Sequence, residues 1–161
     1  GVGGNILFRA DGELIVNGVT CSVTTFANNQ GTLTIQSGNV NGTIGANGSS
    51  LKLVNIGANP ITFSANVFAP VALNKNGSIL ALADGVTLTG AVTTTAGDGS
   101  GKLIFAGDGT VTGSVGANGA VLSTGGVGGT LNFIGDGNVT QNIGTDAANS
   151  HANINILYLI Q

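Results

Sequence analysis

The chain has 161 residues with Lys+Arg 4 against Asp+Glu 7, and only 7% of its residues are charged, where an average soluble domain carries about 25%. Four scattered cations cannot neutralise a row of phosphates, so nucleic acid is a poor partner and so is an anionic membrane surface. One Cys, one His and seven acids spread along the chain argue against a zinc site, a Ser-His-Asp relay or a carboxylate dyad.

Glycine accounts for 29 residues and proline for 2, yet 42% of the chain is hydrophobic, so a folded core is expected rather than low-complexity disorder. Each glycine in a regular element costs about 0.5 to 1 kcal/mol more backbone entropy than alanine. So many glycines are tolerable only where positive φ or close backbone approach requires them, which predicts many tight turns and disfavours helical bundles.

In chain order, residues 1 to 20 place Arg9, Asp11 and Glu13 among short apolar pieces, and no signal peptide is expected there. The first unit opens at Gly12 (GELIVNGVTCSV) and the second at Gly31 (GTLTIQSGNVNGTIGANG). Leu51 to Leu53 opens a third, Gly77 (GSILALADGVTLTG) a fourth, Gly101 (GKLIFAGDGTVTGSVG) a fifth and Gly129 (GTLNFIGDGNVTQNIG) a sixth. The fifth and sixth share nine of sixteen positions without a gap. Taking the apolar residue two places into each unit gives Leu14, Leu33, Leu53, Ile79, Leu103 and Leu131, with spacings of 19, 20, 26, 24 and 28. That irregular period lies in the solenoid range.

Inside each unit the period is two: Leu33 and Ile35 alternate with Thr32 and Thr34, and Leu103 and Phe105 with Lys102 and Ile104, as in short strands with one buried face. A second strand is expected after each turn, at Val40, Gly42 and Ile44, and at Val111, Gly113 and Val115. Asn-Gly pairs at 17, 41, 47, 76 and 118 and Asp-Gly pairs at 11, 84, 98, 108 and 136 supply the corners, because these residues accept left-handed backbone.

A sandwich of antiparallel hairpins would use the same turns, but it does not require whole units to resemble each other. A parallel β-helix does, because like positions stack on like about 4.8 Å apart. The expected fold is therefore all-β, a right-handed parallel β-helix of about six coils and roughly 30 Å in length, forming a single segment over residues 1–161. Leu103 should lie over Leu131 and Phe105 over Phe133, with outward Thr and Asn bonding along the ladder. Both ends are expected to be open edges. The apolar ILYLI at 156–160 and the absence of Met at position 1 suggest an excised piece of a longer solenoid.

Few residues invite chemistry. GDGSGKL at 97–103 lacks the Gly at 96 and the Ser or Thr at 103 that a phosphate-binding loop needs. Ser100 would need a general base, and His151 is two coils away in the proposed rod. Asp98, Asp108 and Asp136 sit in glycine turns like those of calcium-binding repeats, but one Asp per turn falls short of the six to eight oxygens calcium takes. Cys21 alternates with Val19 and Val23 and reads as a small buried residue, and His151 reads as a turn or surface residue. Sequons at Asn41, Asn47, Asn76 and Asn138 are expected by chance in such a composition. Thr-x-Thr pairs at 32/34, 87/89, 93/95 and 110/112 would make a flat ice-binding face only if every coil carried one in register. Residues 56–76, with Pro60, Phe63, Phe68 and Pro70, and residues 145–153 depart furthest from the repeat. They are either projecting loops or plain corner insertions with inward phenylalanines, and the second is favoured. No catalytic, cofactor-binding or metal-binding residue is assigned, and the binding residues stay unknown.

The phrases GTLTIQSGNVNGTIGANG and GKLIFAGDGTVTGSVGANGAVLST resemble passenger domains of bacterial autotransporters, most closely the rickettsial surface cell antigens of the outer membrane protein B kind. The resemblance runs from about Gly12 to Ile143 and rests on composition and repeat phrasing. It implies a β-helical passenger exported through a C-terminal translocator barrel, shown on the outer side of the bacterial surface and used to attach to and enter host cells. The partner it implies is a host cell-surface protein, reached without a cofactor or catalysis, and membrane contact comes only through the translocator, which these residues do not include. Two other functions compete: a self-associating surface-layer or amyloid-like protein, and a β-helical polysaccharide lyase or hydrolase. The last needs clustered acids with Arg or Lys on one face, and Arg9 is the single Arg.

Overall fold

The structure is a computed structural model that describes residues 4–94 and 101–115, together with strands at 130–133, 138–139 and 154–156. Among the described residues, sixteen short strands follow one another. They are β1 (Ile6–Phe8), β2 (Glu13–Val19), β3 (Val23–Thr25), β4 (Thr32–Val40), β5 (Leu53–Ile56), β6 (Ile61–Phe63), β7 (Val67–Phe68) and β8 (Val71–Leu73). Next come β9 (Ser78–Leu82), β10 (Thr87–Thr89), β11 (Val92–Thr94), β12 (Gly101–Phe105), β13 (Thr110–Val111), β14 (Thr130–Phe133), β15 (Asn138–Val139) and β16 (Ile154–Ile156).

Every pairing between named strands is parallel. That excludes the hairpin sandwich and makes the chain a parallel β-solenoid. Three faces wind in turn. On the first, Leu14, Leu33, Val54, Val71, Val92 and Val115 stand rung upon rung. On the second the column is Val19, Val40, Phe63, Leu82, Phe105, Phe133 and Ile156. On the third it is Ile6, Val23, Ile44, Val67, Leu88, Val111 and Val139. Five complete turns separate Ile6 from Val111, about 24 Å of rise at 4.8 Å per rung, and β14, β15 and β16 continue the stack.

The two-residue alternation decides which side chains enter. From Val16 onward, the column members up to Val115 are buried, and Leu33, Phe63, Leu82, Leu88 and Phe105 are wholly so. The few hydroxyls that enter this core bond to carbonyls of the coil below: Thr94 Oγ1 donates to Leu73 O at 3.0 Å, and Ser78 Oγ lies 3.0 Å from Ile56 O and 2.8 Å from Gly57 O. Such bonds offset the cost of burying a hydroxyl.

Corners bend for two separate reasons. Gly48, Gly77 and Gly85 take the left-handed backbone expected of Asn-Gly and Asp-Gly, with φ of 79°, 80° and 70°. Gly42 does not; there a Cβ would collide with the Cys21 carbonyl of the coil below, so glycine is needed for close approach. As a result, the second strand expected over Val40 to Ile44 is the end of β4, a glycine corner and isolated bridges from Ile44 to Val23 and Val67.

The register corrects the repeat in three places. Leu103 pairs with Leu131 and Phe105 with Phe133, as the best-matched copies predict. Leu33, however, pairs with Val54 and not Leu53, and Leu103 pairs with Leu80 and not Ile79. The units opening at Gly77, Gly101 and Gly129 also begin on the second face, whereas those at Gly12 and Gly31 begin on the first. Alternation looks alike on every face, so the 26-residue step from Leu53 to Ile79 crossed a corner. The true steps on the first face are 19, 21, 17, 21 and 23 residues. Residues 56–76 are accordingly no insertion. They hold β6, β7 and β8, with Phe63 wholly buried and Phe68 half-buried, while residues 145–153 lie outside the described residues. Among the described residues no helix is long and apolar enough to cross a membrane.

Phe105 points into the core and its neighbour Ile104 points out, half-exposed. Phe105→Ala should therefore lower unfolding free energy by about 3–5 kcal/mol, and Ile104→Ala by less than about 1 kcal/mol. Urea titration of both variants checks this; equal losses would mean the alternation is misassigned.

Candidate interaction surface

With the apolar side chains turned inward, the outer faces carry neutral polar columns. On the third face Thr87 stands over Thr110. Thr43 Oγ1 donates to Ser22 Oγ at 3.0 Å, and the Thr87 N–H donates to Asn66 Oδ1 at 2.9 Å. On the first face Thr34 Oγ1 donates to Glu13 Oε1 at 2.8 Å and accepts from Asn55 Nδ2 at 3.2 Å. At the corner before that face, Ser50 Oγ donates to Asn28 Oδ1 at 2.6 Å. Each bond joins residues about one coil apart. Stacking brings these groups to ladder distance, and their mutual bonds leave part of each group's capacity for a partner or water.

The threonine pairs fall on different faces. Thr32 and Thr34 lie on the first, while Thr87 and Thr89 lie on the third, where Thr87 pairs with Thr110 and the Thr112 N–H donates to Leu88 O. The next rung back presents Phe68 opposite Thr89, which interrupts the hydroxyl row. The exposed Asn41 and Asn47 and the exposed Asn76 sit in corners or turns, and Asn138 lies in β15.

Charged groups are sparse and mostly at corners. Asp11, Gly31 and Lys52 belong to three successive coils. Lys52 Nζ donates to Asp11 Oδ2 at 2.6 Å and the Gly31 N–H donates to Asp11 Oδ1 at 3.3 Å. The hydrogen bond from Lys52, then that from Gly31, holds the Asp11 carboxyl below its ordinary value of 3.8. At another corner Asp84 Oδ1 accepts from the Asp108 N–H at 2.9 Å, and the Gly85 N–H donates to Asp108 O at 2.6 Å. Asp108 was grouped by sequence with Asp98 and Asp136, which lie outside the described residues together with Ser100 and His151. Its structural neighbour is Asp84. The available signal was the 24-residue offset between two Asp-Gly turns, one coil apart.

Among the described residues, no three His, Cys, Asp or Glu side chains come together as metal ligands. Cys21 is a free thiol, half-buried at a corner and packed against the core between the buried Val19 and Val23. It is less enclosed than strict alternation predicts because the chain turns there. No protein-family model matches the chain, and comparison with curated proteins and with solved structures gives no match.

A lowered carboxyl pKa gives stability that is complete above the unfolded value and is lost as pH falls through the folded one. The loss in stability caused by Asp11→Asn should therefore be present at neutral pH and vanish once pH drops below 3.8 and through the lower folded value. It should be small, because both side chains are about half exposed. Thermal melts of both proteins across pH check this, and a difference that grows toward low pH would contradict the bridge.

Proposed function

We propose that the chain is a segment of a bacterial autotransporter passenger, a low-charge rod on the outer surface that contributes to attachment to and invasion of host cells without catalysis. The observation that carries this reading is the three-faced parallel stack, whose outer columns offer hydroxyl and amide groups from one coil to the next. Such a stack is rigid along its axis and presents a long hydrogen-bonding surface, which suits a displayed adhesive stalk. The resemblance of the GTLTIQSGNVNGTIGANG phrase to autotransporter passengers supplies the biological setting. A lyase or hydrolase is less well supported, since Asp11 is engaged by Lys52 and the nearest stacked acids, Asp84 and Asp108, serve to join two turns.

A second reading, lateral self-association into a surface layer, has its own support. Leu7, Ile15 and Phe26 are large apolar residues with 44%, 55% and 73% exposure, all within the first two rungs. The partner is then a further copy of the chain instead of a host protein.

Beads coated with the folded chain should bind cultured animal cells saturably, in competition with soluble chain and not after heat unfolding. Absence of saturable binding would count against the adhesive reading, and sedimentation that rises steeply with chain concentration would favour self-association.

A further inference from the structure

Four Asn-Gly pairs lie within the described residues, at 17, 41, 47 and 76, and the solenoid places them in two different settings. We infer that Asn47 and Asn76 are sites of spontaneous succinimide formation, deamidating to aspartate and isoaspartate, and that the stack holds Asn17 and Asn41 unreactive.

The reaction needs nothing but water. The backbone nitrogen of the following glycine attacks the asparagine Cγ, a new N–C bond closes a five-membered ring, and the Cγ–Nδ2 bond breaks to release ammonia. Water then opens either carbonyl of the ring and leaves a carboxylate. Glycine favours the step because it has no Cβ to obstruct the attacking nitrogen. The peptide between the two residues must rotate, so local freedom sets the rate.

Asn47 and Gly48 are the central pair of a turn closed by the Ser49 N–H to Ala46 O bond at 3.0 Å, and both are exposed. Asn76 and Gly77 are the central pair of a second turn closed by the Ser78 N–H to Lys75 O bond at 3.0 Å, and both are exposed. Among the described residues, a Cβ built on Gly48 or Gly77 meets nothing within 4 Å. Within the described residues the space around each reacting peptide is therefore open, and both Asn-Gly pairs lie in turns and not in strands.

The other two pairs lie within the stack. Asn17 and Gly18 are inside β2, with Asn17 opposite Ser37 and its Oδ1 accepting from Ser37 Oγ at 3.3 Å. Gly18 is buried, and a Cβ there would lie 3.3 Å from Asn39 O. The Asn41 N–H donates to Val19 O at 2.8 Å, and Gly42 is pressed on the Cys21 carbonyl. Rotation of either peptide breaks the contact between neighbouring coils. Such opening is rare in a cooperative ladder.

Each event replaces a neutral amide with a carboxylate. In a chain of net charge -3, the two together shift the protein through two resolvable acidic species. The experiment is incubation of the folded chain in mildly alkaline buffer, followed over time by peptide mapping for aspartate and isoaspartate at all four positions. Asn47 and Asn76 should convert at least about tenfold faster than Asn17 and Asn41, and in denaturing urea the four rates should converge. The Asn47→Gln, Asn76→Gln, Asn118→Gln variant, which also removes the Asn-Gly pair outside the described residues, should form no early acidic species. Equal rates in the folded chain, a lead by Asn17 or Asn41, or a difference that persists in urea would each overturn the assignment.

Discussion

The parallel ladder between one coil and the next is the constraint from which the rest of this structure follows. A coil alone has short strands and unpaired backbone groups on both edges, and neither its apolar side chains nor its amides are satisfied. Parallel pairing satisfies the amides and also places each side chain over its counterpart. The inward columns thus become a continuous core, with Phe63, Leu82 and Phe105 in one file and Val67, Leu88 and Val111 in another. Corners must then nest as well, which is why Gly42 leaves no room for a side chain above the Cys21 carbonyl.

The same constraint shapes the outer surface. Groups that are 20 or so residues apart in sequence come to hydrogen-bonding distance only because their coils are adjacent, as with Thr43 and Ser22 or Thr34 and Glu13. With so few charges, long-range electrostatics contribute little to recognition, and any partner has to read short-range hydrogen bonds and shape. The Asp11–Lys52 pair spans two rungs and acts as a local clip between coils.

Much of the architecture was legible in the residues, because stacking imposes likeness on stacked positions. The copies at Gly101 and Gly129 are so alike that Phe105 and Phe133 could be paired by inspection, and the ladder pairs them. The assignment of faces was not legible. Leu33 on the first face and Leu103 on the second have the same alternating neighbours, and nothing local to either phrase records which side of the triangle it occupies. Val71 and Val92, also on the first face, were hidden for the same reason, since three-residue strands such as VAL and VTT look like turn flanks. The surface was the least legible part. Which Thr, Ser and Asn meet depends on coil lengths of 17 to 28 residues, and a one-residue error there exchanges an inward position for an outward one, as at Leu53 and Ile79.

The most direct test is a distance measurement along one outer column. In a Cys21→Ser background, spin labels at Ser22 and Thr110 on the third face are four rungs apart and should be separated by about 19 Å, with intermediate positions Thr43, Asn66 and Thr87 adding about 4.8 Å each. A separation that grows in proportion to rung number is the result the parallel stack predicts. Distances that alternate, or that do not scale with the number of coils between the labels, would contradict it.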